Sequence, residues 1–246
     1  MVAQRLPLVL SVKCSNWRMF DKGSADADAE FERVRKQALE RDNYTCRFCG
    51  FRALKWQEVH HANDDHADNR LENLVTACTF CHNCQHIGFA GTRKEAVLIF
   101  LPEISQANLH HVVRTALVAT RMNQTVASDR HARPDMIRSC REAADVSKAV
   151  LAALREREAK AEAMLGSSNP ADIGNALMLM PDDAYAQRAD KLAGIRLLPL
   201  GTRVQNGEDV MQKQVDSWIE AGGPYFNLKP NSWIGLLHSV LGSVRG

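Results

Sequence analysis

With 246 residues, 45% of them hydrophobic and 24% charged, the chain exceeds one typical small domain and falls short of two large ones. A formal charge of +2 argues against a global basic field of the kind that draws nucleic acid, and between Arg41 and Arg93 six basic and six acidic residues balance. No apolar run approaches the ~18 residues that a membrane span needs, and residues 6–12 lack the charged start and small-residue cleavage site of a signal peptide.

The expected setting is therefore the cytoplasm, where thiols stay reduced. There the seven cysteines, five of them crowded into residues 46–84, read as metal ligands or buried thiols rather than disulfides.

Residues 6–13 read as a strand with Pro7 near its start, and 21–28 as a loop and helix start. A helix follows at 29–41, with Phe31, Val34, Ala38 and Leu39 on its apolar side. Beyond the cysteine- and histidine-rich region at 44–88, residues 97–101 form an all-apolar strand closed by Pro102. From Ser105 the pattern turns helical, with Leu109, Val112, Val113, Ala116 and Leu117 on one buried face. His110 and His111 lie off that stripe and read as solvated.

Residues 123–131 read as a polar linker, and Pro134 as the first residue of a long helix running to about Leu165 and ended by Gly166. Its charged second half, with only Val150, Leu151 and Leu154 apolar, reads as a solvated arm or a surface for a partner helix. Short helices follow Pro170 and Pro181, and residues 195–200 are a strand or tucked coil. A helix at 208–221 closes on Gly222-Gly223, and Asn231 or Ser232 caps a last amphipathic helix carrying Trp233, Leu236, Leu237 and Leu241.

Two CxxC knuckles, Cys46-Arg-Phe-Cys49 and Cys78-Thr-Phe-Cys81, have the spacing that lets four thiolates converge on one Zn²⁺. A filled tetrahedron leaves no open position, so this zinc would be structural. Four unrelated buried thiols are the plain alternative, and Cys81-x-x-Cys84 is also a legal knuckle. Cys14 and Cys140 read as ordinary buried thiols.

Between the knuckles and directly after the second, His60-His61, Asn73 and His82 fall in a frame that closely resembles the HNH endonuclease motif, as does the run-up from Leu39 to Gly50. The resemblance covers about fifty residues and implies a ββα-metal hairpin stitched by Cys₄ zinc. It also implies that His60 and His82 ligate Mg²⁺ or another divalent cation, that His61 is the general base, and that Asn73 pins the loop orienting that base. Such a site would cleave DNA phosphodiesters. Against this stands a scaffold in which His60 and His61 merely pack the loop, with His66 or His86 able to substitute as ligands, and Asp64, Asp65 and Asp68 read as solvated.

A narrower resemblance runs through most of the chain. Ser15-Asn-Trp-Arg-Met-Phe20, the first knuckle with its flanks, Asn69-Arg-Leu-Glu-Asn-Leu-Val-Thr-Ala-Cys78, Leu98-Ile-Phe-Leu-Pro-Glu103 and Ile195-Arg-Leu-Leu-Pro199 are similar to the IcmJ (DotN) family of type IVB secretion systems. That family implies a cytoplasmic, zinc-stabilised subunit that joins the coupling ATPase and other secretion-complex subunits at the inner membrane and helps present substrates. Its catalytic histidines can be missing, whereas His60, His61, Asn73 and His82 are all present here. The expected fold class is α+β, with an HNH-like ββα zinc module and its flanking elements at 1–122 and a mainly helical region at 123–246.

Overall fold

A computed structural model describes residues 4–12, 25–65, 68–228 and 230–245. Cys14, His66 and residues 15–24 lie outside the described residues.

Helix α1 (Ala25–Arg41) starts earlier than its apolar periodicity suggests and buries Val34, Ala38 and Leu39. That face packs on a hairpin made of β1 (Gln57–His61) and β2 (Leu74–Cys78), paired antiparallel from Gln57↔Cys78 to His61↔Leu74. Helices α2 (Thr79–Gln85) and α3 (Ile87–Thr92) follow directly, then β3 (Ala96–Phe100). Helix α4 (Gln106–Ser128) is capped by the Ser105 hydroxyl, which accepts from the Asn108 N–H at 3.2 Å. The remainder is mainly helical: α5 (Pro134–Glu156), α6 (Glu158–Leu165), α7 (Pro170–Met178), α8 (Asp182–Ala186) and α9 (Arg188–Lys191). Strand β4 (Ile195–Pro199) and the two-residue strands β5 (Val204–Gln205) and β6 (Glu208–Asp209) lead to α10 (Met211–Ile219) and α11 (Asn231–Arg245). Among the described residues there are three sheets, each of two strands: β1–β2, β3–β4 and β5–β6.

The central element is α4, which packs against α5, α10, α2 and β4. Its Leu109, Val112, Val113 and Val118 share one core with Phe48 and Phe51 of the first knuckle, Ile99 of β3, Val150 and Leu154 of α5, Trp218 of α10 and Leu237 of α11. The charged half of α5 is therefore neither a free arm nor a vacant surface, because its apolar positions are covered by helices of the same chain. A second cluster joins Leu10, Ile87, Ala90, Leu98, Ile173, Leu177 and Leu197 around α3 and α7. These two helices approach closely at Gly91, where a Cβ would lie 2.2 Å from the Ala171 backbone nitrogen.

Four expectations are corrected. Residues 4–12 join no ladder, because their hydrogen bonds scatter: Leu6 N–H to Arg47 O, Ser11 N–H to Cys84 O, and Val12 N–H to the Tyr185 hydroxyl. The linker expected at 123–131 is helical through Ser128, since Met122 still packs on the core. The long helix from Pro134 breaks at Arg157, whose carbonyl accepts from Phe100 N–H of β3 at 3.2 Å and whose guanidinium reaches Glu103 at 2.9 Å. Glu208 and Asp209 pair with β5, which delays α10 to Met211. Residues 195–199 are a strand because β3 pairs with them, from Ala96↔Pro199 to Phe100↔Ile195. The boundary expected between residues 122 and 123 falls inside α4, with β3 and β4 on either side of it. No helix among the described residues is long and apolar enough to cross a membrane.

Candidate metal centre

The first knuckle is a tight turn. Cys46 N–H donates to Phe51 O and Gly50 N–H donates to Cys46 O, both at 2.9 Å. Gly50 adopts φ +77°, and a Cβ there would stand 2.7 Å from the Arg5 guanidinium. The second knuckle begins at Cys78, the last residue of β2 and the cap of α2, and ends at Cys81 in the first turn of that helix. Arg47 N–H donates to Thr76 O at 2.8 Å and ties the two together.

The four Sγ atoms of Cys46, Cys49, Cys78 and Cys81 lie within 4.8 Å of one another, all buried, with Cys49 and Cys78 3.7 Å apart. A tetrahedron with Zn–S of ~2.3 Å has S···S edges of about 3.8 Å, so the spacing suits zinc. Cys84 stands outside this group, with its Sγ 3.7 Å from His110 Nε2.

Two further observations fit a cation here. Burial pushes the Cys78 and Cys81 thiols well above their ordinary value, while hydrogen bonds from Cys46, Cys78 and Cys81 pull Cys49 below it. A divalent cation accepts four thiolates and removes this conflict among the buried sulfurs. The second observation is Arg114, which is 1% exposed and has no carboxylate within ion-pair distance among the described residues. Its guanidinium donates to Cys78 Sγ at 3.3 Å and stacks 3.8 Å over the Phe51 ring. Burial opposes its charge, and the negative charge of the cysteine cluster, at Cys78 and Cys49 above all, outweighs it. A buried arginine of this kind needs an anionic partner, and the sulfur cluster supplies it. The four cysteines are consistent with a structural zinc site.

A second cluster forms between β1 and α2. Successive strand residues face opposite ways, so His60 and His61 diverge. His60 turns toward α2, where one of its ring nitrogens and one each from His82 and His86 lie within 4.8 Å of one another. Glu58 lies on the same face of β1 and accepts from His82 Nδ1 at 2.6 Å, leaving Nε2 as the coordinating atom. Glu58 also meets Arg203, which donates to Glu95 and Asn83 at 2.9 Å each. Burial pushes Glu58 up, but the hydrogen bond and charge of His82 and the Arg203 guanidinium outweigh it and hold the carboxyl at about 2.

His61 faces α1 instead, stacked on Phe31 with centroids 5.5 Å apart and 6% exposed. Its Nε2 donates to Asn69 Oδ1 at 2.9 Å, which makes Nδ1 the basic atom of the neutral ring. Asn73 spans the intervening loop: Nδ2 donates to Asn63 Oδ1 and Asp68 O at 2.8 Å, and Oδ1 accepts from Asn63 N–H at 3.0 Å. Asp68 is paired with Arg70 at 2.7 Å.

His110 and His111 correct the expectation of solvated residues. His110 is fully buried, and burial lowers it to about 3, while His111 Nε2 donates to Cys49 O at 2.9 Å. Helix α4 is covered on most sides, so residues off its apolar stripe are interior as well.

The chain is an α+β protein in which a buried four-cysteine cluster at the foot of a β-hairpin, consistent with a structural zinc site, shares one core with helices of the second half. The chain is a homologue of the Type 4 apparatus protein DotN of Legionella pneumophila subsp. pneumophila, 28% identical over 218 residues that cover 87% of this chain and 90% of the relative. No family model matches it.

Proposed function

We propose that this chain is a zinc-stapled subunit of a type IVB secretion coupling complex, or a related conjugative one. It would act at the cytoplasmic face of the inner membrane by joining the coupling ATPase and other subunits to present substrates. The observation that carries this reading is the similarity to DotN across 87% of one chain and 90% of the other. Similarity confined to the knuckles would support a metal staple and nothing more, whereas coverage of both halves supports a shared role. A closed Cys₄ tetrahedron, packed into the core beneath α4, supports a scaffold rather than a zinc enzyme. Co-expressed with the coupling ATPase, the protein should co-purify with that enzyme's tail, and His61→Ala should bind equally well. Separation of the two on size exclusion would count against the proposal.

A second reading, metal-dependent DNA cleavage by an HNH-like ββα site, is favoured by the convergence of His60, His82 and His86. These side chains would hold Mg²⁺ or another divalent cation, His61 would accept a proton at Nδ1, and Asn73 would hold the loop. With Mg²⁺, Mn²⁺ or Ni²⁺, plasmid should be cut by the wild type and not by His61→Ala, since loss of a general base costs about 10²–10⁴ in rate. Intact plasmid under every metal, or equal cutting by the variant, rejects this reading.

A further inference from the structure

We infer that α4 supplies a two-donor hydrogen-bonding shell to the zinc thiolates, Arg114 on Cys78 and His110 on Cys81, and that the backbone of β4 fixes which nitrogen of His110 donates. This rests on the reading of the cysteines as a zinc site.

The geometry leaves one arrangement. Gln106 faces the backbone of Leu197, accepting from its N–H at Oε1 (2.8 Å) and donating from Nε2 to its carbonyl (2.7 Å). Turning the amide over would set like groups against each other at both contacts, so the orientation is determined. The same Nε2 lies 2.8 Å from His110 Nε2 and donates its second hydrogen there. Cys84 Sγ, 3.7 Å from that ring nitrogen, contributes another donor. His110 Nε2 is therefore an acceptor, and the ring's hydrogen sits on Nδ1, 3.3 Å from Cys81 Sγ. Cys84, adjacent to the knuckle but outside the cluster, thereby acquires a role. A tetrathiolate zinc carries two net negative charges, and the buried arginine and imidazole N–H offset them. Because Gln106 reads Leu197, the strand that pairs with β3 also sets the polarity of the metal's surroundings.

The full-length protein tests this by chelator competition and by the thiolate-to-cobalt charge-transfer bands of the Co²⁺-exchanged form. His110→Leu and Arg114→Met should weaken zinc by about 10–100-fold and shift those bands. His110→Asn, whose amide nitrogen takes the place of Nδ1, should keep affinity near the wild type. Two-bond ¹⁵N correlations of the wild type should place the hydrogen on Nδ1, a readout that needs no variant to fold. A hydrogen on Nε2, or His110→Leu holding zinc within twofold of the wild type with unshifted bands, overturns the inference and leaves the zinc reading intact. Wild-type protein without metal overturns both.

Discussion

Replacing Cys46 or Cys81 with serine should remove the zinc and unfold the protein. A neutral hydroxyl supplies no thiolate charge, and structural zinc contributes on the order of 10–16 kcal/mol at neutral pH, as much as the whole stability of an ordinary domain. The position of the cluster enlarges the effect. The four cysteines share a core with Ile99, Leu109, Val113 and Trp218, so their loss is felt beyond the hairpin. Arg114 would also be left buried beside sulfurs that are no longer charged. Elemental analysis should give one zinc per wild-type chain and little in either variant, with loss of the cooperative melt by circular dichroism. Because metal binding displaces thiol protons, zinc should also be lost on acidification. A Cys46→Ser protein that keeps full zinc and melts normally would sink the assignment, and Cys84→Ser should retain its metal.

Arg203→Met should be the most damaging substitution away from the cysteines. Arg203 bridges Glu58, Glu95 and Asn83, and the Glu95 side chain is fully buried, with its other oxygen accepting from Val204 N–H at 2.8 Å. Removing the guanidinium takes the shared cation from two carboxylates, leaving Glu58 to His82 and Glu95 to neutral donors, a change that costs about 3–5 kcal/mol. For a chain of this size the melting temperature should fall by roughly 6–20 °C. The pH dependence provides a separate check. The Glu58 carboxyl, ordinarily near 4.5, is held at about 2, so its contribution is complete above 4.5 and disappears as pH falls toward 2. Without Arg203 the carboxyl rises, and acid unfolding should begin closer to neutral pH. Urea midpoints measured from pH 3 to pH 8 would show this as a steeper acid limb, and an unchanged midpoint would refute it.

Local pattern made the knuckles, β3 and the apolar face of α4 legible, because each depends on residues a few positions apart, whereas the hairpin is expected only from the resemblance to the HNH motif. His86 is legible only as a possible substitute ligand; it caps α2 outside the helical backbone, so helical spacing does not place its ring beside His82. Arg203 carried no signal, since Glu95 and Glu58 precede it by 108 and 145 residues. His110 and Arg114 were obscured by reading α4 as a helix with one buried stripe. Apolar residues at Leu109, Val112, Val113, Ala116, Val118 and Ala119 already spread round more than one face, which is the mark of an interior helix. Residues 6–12 have a strand's composition, but an extended segment becomes a strand only where another edge is free to receive it. Here the knuckle, α2 and Tyr185 take its hydrogen bonds one by one.

The pairing of Leu98 with Leu197 has a consequence for how the protein is made. Cys81 completes the metal site soon after Cys46 emerges, so the hairpin can close while synthesis continues. Strand β3 then waits for its partner through all of α4–α9, roughly 5–20 s at ordinary elongation rates. During that interval a wholly apolar edge, Ala96–Phe100, lies open to any passing strand. The closing step carries the entropy of a long loop, which slows it further. The vulnerable moment in the life of this chain is therefore between the two leucines: the hairpin and its cysteine cluster are already made, while the neighbouring strand stands exposed.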